Sequence, residues 1–181
     1  MKTIYTYMVP LILICGVSSC SLFKRLPTLA AIVPAVCPPA SQQQWALSWK
    51  AEQSRLMVVT QCDETPQGGR WQWFLLNQLG QRIATAQGRE GVVNIEYLSA
   101  HPASNLVPQL VEAWQLLTFE LATLKAQSSD TWSFFEQPGQ RKIRFSGILR
   151  AEINYPTENA DSGPITYTAD TFSVVIRRQV L

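Results

Sequence analysis

Four cysteines, one histidine and a sparse set of charges make up most of what this 181-residue chain can offer for chemistry. A thiol can ligate a metal, pair with a second thiol or accept another group. Cys15, Cys20, Cys37 and Cys62 form no Cys-x-x-Cys pair, and His101, the sole histidine, precedes Pro102 in a loop after an apolar stretch. That spacing holds no metal, and His101 reads as a surface residue. The chain has neither a G-x-S-x-G elbow nor a phosphate-cradling glycine loop. Asp63 and Glu64 adjoin Pro66, Gly68 and Gly69, where solvated carboxylates are the default, and Arg177 and Arg178 alternate across a final strand. The expectation is a binding domain that is not an enzyme and has no metal or cofactor. Only the thiols point to defined chemistry.

Cys20 has the most informative neighbours. Lys2 is the only charge before it, and "YMVPLILICGVSS" is an apolar core ending in small residues. The core is shorter than the roughly 20 apolar residues of a membrane span and has the form of a secretory signal. Val17-Ser18-Ser19-Cys20 resembles the lipobox of bacterial lipoproteins. The resemblance implies a diacylglyceryl group on the Cys20 thiol, cleavage before Cys20, and acylation of the new amino terminus. Each buried methylene contributes about 0.8 kcal/mol, so two or three chains hold a domain firmly on a bilayer. Ser21 stands where Asp favours inner-membrane retention in enterobacterial lipoproteins, which implies the bacterial outer membrane with the domain facing the periplasm. The expected organisation is a signal peptide over 1–19, a lipidated N-terminus and tether over 20–43, and one domain over 44–181.

Removing the leader takes only Lys2 from 15 basic residues set against 13 acidic ones. That balance excludes a nucleic-acid partner and a polybasic membrane patch. Hydrophobic residues make up 46% of the chain and charged ones 15%, and all six tryptophans follow the leader. The domain therefore has apolar surface to dispose of. Cys37 and Cys62 would meet an oxidising compartment after export, where they can pair. Pairing requires their α carbons to come within bridging distance, which sequence does not decide.

These residues need a scaffold, and period two dominates. Residues 21–43, with four prolines and no sustained period, read as a lead-in whose apolar residues are available to pack on the domain. Trp45, Leu47 and Trp49 then share one strand face. Further strands are expected over 55–62, 70–77, 81–87 and 92–98, joined by short glycine-bearing connections suited to antiparallel neighbours. "DETPQGG" (63–69) reads as a polar loop. Over 104–127, Val107, Leu110, Val111, Trp114, Leu117, Leu121 and Leu124 recur at helical spacing. One amphipathic helix is expected, capped by Ser104 or Asn105, with Pro108 in its first turn. Alternation resumes over 131–137, 141–146, 148–155, 164–170 and 172–178. The fold class is mainly β (α+β): a large antiparallel sheet that curls around one helix and leaves an apolar concavity.

The lipobox, the tether, the meander with Gly80, Arg82 and Ile83 in a turn, the helix, and the late segment from Arg141 to Tyr155 together resemble a DUF3261-type family. Its members are outer-membrane lipoproteins of unknown function, often encoded in aryl-polyene gene clusters. Their fold is similar to LolB, the receptor that accepts lipoproteins from the periplasmic carrier LolA. The resemblance implies an incomplete LolA/LolB-like barrel with a helical lid over a cavity for an acyl chain, an aryl-polyene lipid or another long apolar molecule. Its partners would be a periplasmic carrier or envelope biosynthetic proteins. Trp45, Trp49, Trp71, Trp73 and Trp114, with Leu117 and Leu121 on the helix, are expected to wall that cavity. The receptor also carries an apolar residue on a projecting loop; here Leu79 is the apolar residue seated in a turn. A structural lipoprotein that recruits partners at the outer membrane, with its concavity packed shut, is the alternative.

Overall fold

The computed structural model describes residues 28–156 and 163–179. The leader, the lipobox, Cys20 and Ser21 lie outside the described residues. Among those described, no helix is long and apolar enough to cross a membrane.

Ten strands form one antiparallel sheet: β1 (Ser41–Trp49), β2 (Glu52–Thr65), β3 (Gly68–Leu76), β4 (Arg82–Arg89), β5 (Val92–Tyr97), β6 (Trp132–Gln137), β7 (Gln140–Phe145), β8 (Ile148–Asn154), β9 (Ile165–Ala169) and β10 (Phe172–Gln179). Their order is β5-β4-β3-β2-β1-β10-β9-β8-β7-β6. The first and last strands of the chain pair at the centre, with Trp45 opposite Ile176 and Leu47 opposite Val174. Each half is a meander of antiparallel neighbours joined by short turns, except that ten residues lie between β8 and β9. The sheet curls without closing, so β5 and β6 remain its edges. Register shifts in the β3/β4 and β7/β8 pairs are irregularities of the kind that bend a strand and raise its twist.

Alternation sets the faces. In β3 the burial pattern alternates without a break, with Trp71, Trp73 and Leu75 fully inside. "DETPQGG" is not a loop: β2 runs on to Thr65, β3 begins at Gly68, and only Pro66 and Gln67 turn between them. Gly68 takes φ +106, a conformation that glycine adopts readily, which lets a polar stretch close as a tight hairpin.

The expected single helix is broken. A 3-10 turn over Pro102–Leu106 leads into α1 (Val107–Thr118), and α2 (Leu121–Gln127) follows after two extended residues, Phe119 and Glu120. The cause lies on the sheet. Arg141 of β7 is buried, and its Nη1 donates to the carbonyls of Leu116 and Phe119 at 2.6 and 3.2 Å. Its Nε and Nη2 donate to Glu136. The guanidinium thus satisfies carbonyls that a helix terminus leaves open. Phe119 turns inward against Trp114, with ring centroids 5.5 Å apart. Neither expected cap holds α1, whose N-cap is Leu106 with no side-chain bond. Instead His101 caps the 3-10 turn: the amide of Ala103 donates to its Nδ1 at 3.1 Å, and its own amide donates to Ser104 Oγ.

Residues 28–40 form a strap that packs on the domain. Leu29, Ala31 and Ile32 are buried, and the strap's amides find side-chain acceptors on the helices. Leu29 N donates to Glu112 Oε2 at 3.1 Å, Ile32 N to Gln115 Oε1 at 2.7 Å, and Val33 N to Gln127 Oε1 at 2.7 Å. Trp71 Nε1 donates to the carbonyl of Ile32 at 2.9 Å. Between strap and sheet, α1 is buried nearly all round, its polar Glu112 and Gln115 included. Cys37 is disulfide-bonded to Cys62 of β2, with α carbons 5.4 Å apart and a sequence separation of 25. Closing a loop of that length removes about 3 kcal/mol of unfolded-state entropy in the chain-entropy model.

Candidate functional site

The seven residues expected to wall a cavity are packed instead. Trp45, Trp71, Trp73 and Trp114 are at most 1% exposed, Trp49 and Leu117 are buried, and Leu121 packs against the same cluster. Trp71 meets Trp114 edge-on with ring centroids 4.8 Å apart. The reason is volume: α1 drops into the trough of the sheet, and bulky indoles fill what remains at the density of a protein interior. Tryptophan at alternate strand positions marked the core rather than a ligand wall.

Besides a cavity of about 460 Å³ that Trp45 lines together with Gln44, Arg55 and Met57, open volume lies at the N-terminal end of α1. A cavity of about 1540 Å³ is bounded there by the end of β5, the segment that follows it, the first turns of α1, β8, β9 and the β9–β10 turn. None of the seven expected wall residues lines it. Its apolar surface comes from Tyr97, Leu98, Pro108, Ala169 and Phe172, and Tyr97 and Leu98 are 54% and 44% exposed. Thr28, the first described residue of the strap, lies at its edge.

The polar lining is organised around Glu112 and Arg150. Arg150 Nε lies 3.3 Å from Glu112 Oε1, and the pair is largely out of water. Burial pushes the Glu112 carboxyl above its ordinary value of 4.5, against the opposing pull of Arg150 and of the Leu29 amide. Tyr167 also lines the cavity, its ring stacked on Phe172 at 5.6 Å. Burial first, with the charges of Glu112 and Asp170 adding to it, holds its phenol far above the ordinary range, so it stays a neutral donor. Gln109 contributes a buried Oε1 with no partner among the described residues. His101 also lines the cavity, with its Nδ1 engaged by the Ala103 amide. Asp63 pairs with Arg70 in an exposed bridge at 3.3 Å, Arg177 is exposed, and the side chain of Arg178 lies outside the described residues.

The arrangement can hold a guest by an apolar wall and a few fixed polar groups, the usual composition of a small-molecule site. Among the described residues no three of His, Cys, Asp and Glu gather to hold a metal ion. Sequence reading missed Glu112, Arg150, Tyr167 and Gln109. The one available signal was Glu112, an acid within a strongly apolar helical stretch.

A family model described as a protein of unknown function, DUF3261, matches residues 40–180. The chain belongs to the DUF3261 family. Comparison with curated proteins finds no match. The DUF3261 match begins just before β1 and takes in every strand, so both the sheet and the cavity-lining residues from Tyr97 to Phe172 fall within it. The strap, apart from Ala40, precedes it.

Proposed function

We propose that this DUF3261 protein is a lipoprotein of the bacterial outer membrane whose periplasmic domain binds, without catalysis, a long apolar molecule such as an acyl chain or a polyene lipid. The carrying observation is the cavity of about 1540 Å³ with an aromatic and aliphatic wall, larger than the roughly 300–1,000 Å³ of most small-molecule pockets. Its position adds support. Thr28 stands eight positions after Cys20, and an extended chain of eight residue steps spans at most about 29 Å. A lipid anchor on Cys20 would therefore keep the cavity within reach of the bilayer. Leu79 is 82% exposed in the β3–β4 turn, where the amides of Leu79 and Gln81 donate to Asn77 Oδ1, so an apolar tip is held out on an ordered turn.

Mass spectrometry tests anchor and cargo together. The exported wild-type chain should carry acyl groups at Cys20, and the Cys20→Ser variant should lack them. Under native conditions the Cys20→Ser variant should retain a long apolar ligand acquired during export. A serine variant that is still acylated would reject the lipobox reading. Ligand-free protein, unable to take up added lipid, would favour the structural lipoprotein.

A further inference from the structure

The cavity floor carries more hydrogen-bond donors than the protein uses. Arg150 spends Nε on Glu112, whose other oxygen accepts the Leu29 amide. Among the described residues Arg150 Nη1 and Nη2 have no acceptor, although Arg150 lines the cavity. The Tyr167 hydroxyl, on a ring only 1% exposed, has no hydrogen-bond partner there either. A planar guanidinium fork and a phenolic donor lining one cavity are suited to two or three oxygens of one group, and guanidinium matches carboxylate and phosphate in both geometry and charge. Of the nearby acids, Glu112 is already committed on both oxygens and Asp170 is exposed.

We infer that the cavity selects an amphiphile with an oxyanion head, carboxylate or phosphate, held by Arg150 and Tyr167 while its chain lies along Tyr97, Leu98 and Phe172. This rests on the reading of the cavity as an apolar-ligand site and names the class of ligand it takes. A neutral alcohol of equal chain length fills the same apolar wall and leaves the fork unpaired.

The test titrates the exported Cys20→Ser chain with palmitate, hexadecyl phosphate and hexadecanol. At least one anionic probe should bind tenfold or more tighter than the alcohol, and which one does so separates a fatty-acid source from a phosphate-headed lipid. Arg150→Gln should abolish the preference for the anion over the alcohol. Since removing that charge leaves Glu112 buried without it, Tyr167→Phe serves as the second variant. It keeps the ion pair and the ring stacking, and should reduce the preference several-fold at an unchanged melting temperature. Alcohol binding as tight as both anions, or a full preference surviving in both variants, overturns the oxyanion assignment alone. No binding of any of the three probes overturns the apolar-ligand reading beneath it.

Discussion

Trp71→Ala is expected to lower the unfolding free energy by about 3 to 5 kcal/mol, the range for removing a buried aromatic side chain. Trp71 is fully buried, meets Trp114 edge-on, and donates its indole N–H to Ile32 of the strap. It also lies directly over Gly88, its register partner on β4. A β carbon at Gly88 would overlap Cε2 and Cζ2 of that ring, and both belong to a rigid side chain closed in on every side. Gly88→Ala should therefore cost about 1 to 3 kcal/mol through overpacking, although alanine suits a strand better than glycine. The two changes should not add: with Trp71 already removed, Gly88→Ala has nothing to strike and should be close to neutral. Denaturant melts of the two single variants and the double variant give the coupling. Additive losses would mean that the ring does not rest on Gly88.

Glu112→Ala is the second large effect. The carboxylate joins three parts of the molecule: α1, which carries it, the strap through Leu29 N, and β8 through Arg150. Truncation leaves a largely buried guanidinium without its counter-charge and an amide without its acceptor. Breaking a buried pair from one side costs about 3 to 5 kcal/mol. Because the lost contact holds the strap, amide hydrogen exchange should rise first at Leu29 and its neighbours, with the Cys37–Cys62 bridge limiting how far the release spreads. Protection of the strap unchanged in the variant would show that Glu112 does not hold it. The isosteric Glu112→Gln separates charge from shape. Burial raises the carboxyl above 4.5 in the folded protein, so the folded state binds this proton more tightly than the unfolded state. The resulting contribution to stability is fully present below 4.5 and is lost as pH rises through the raised value. Glu112→Gln should remove that decline, giving a stability profile flatter than wild type between acid and neutral pH.

Period-two residues such as Trp45, Leu47 and Trp49 disclosed the sheet because a strand with one buried face must alternate, and short glycine-bearing turns disclosed its antiparallel meander. The 3.6-residue spacing of Val107, Leu110, Val111 and Trp114 disclosed α1 for the same reason. Its end was hidden because Arg141, which takes the carbonyls of Leu116 and Phe119, comes from a strand more than 20 residues later. The strap was only partly visible. Leu29, Ala31 and Ile32 are apolar enough to pack, but an irregular segment has no period, and its amides are satisfied by Glu112, Gln115 and Gln127, residues that periodicity assigns to solvent. The cavity was misplaced by the same logic. Large apolar side chains at regular spacing report where the chain is densest, whereas open volume is left where elements fail to meet, here beyond the N-terminus of α1. Arg150 and Tyr167 converge there from neighbouring strands β8 and β9, and no spacing in the sequence announces it.

A plugged variant tests most directly whether an apolar ligand sits in this cavity rather than among the tryptophans. Gln109 and Ala169 both line the cavity, so Gln109→Trp combined with Ala169→Trp should occupy part of its volume without touching Trp71, Trp73 or Trp114. A fluorescent fatty acid titrated into the exported Cys20→Ser chain should show saturable binding at one site. The plugged variant, with its melting temperature preserved, should bind at least tenfold more weakly. Equal binding by the folded, plugged protein would contradict the assignment of this cavity as the ligand site.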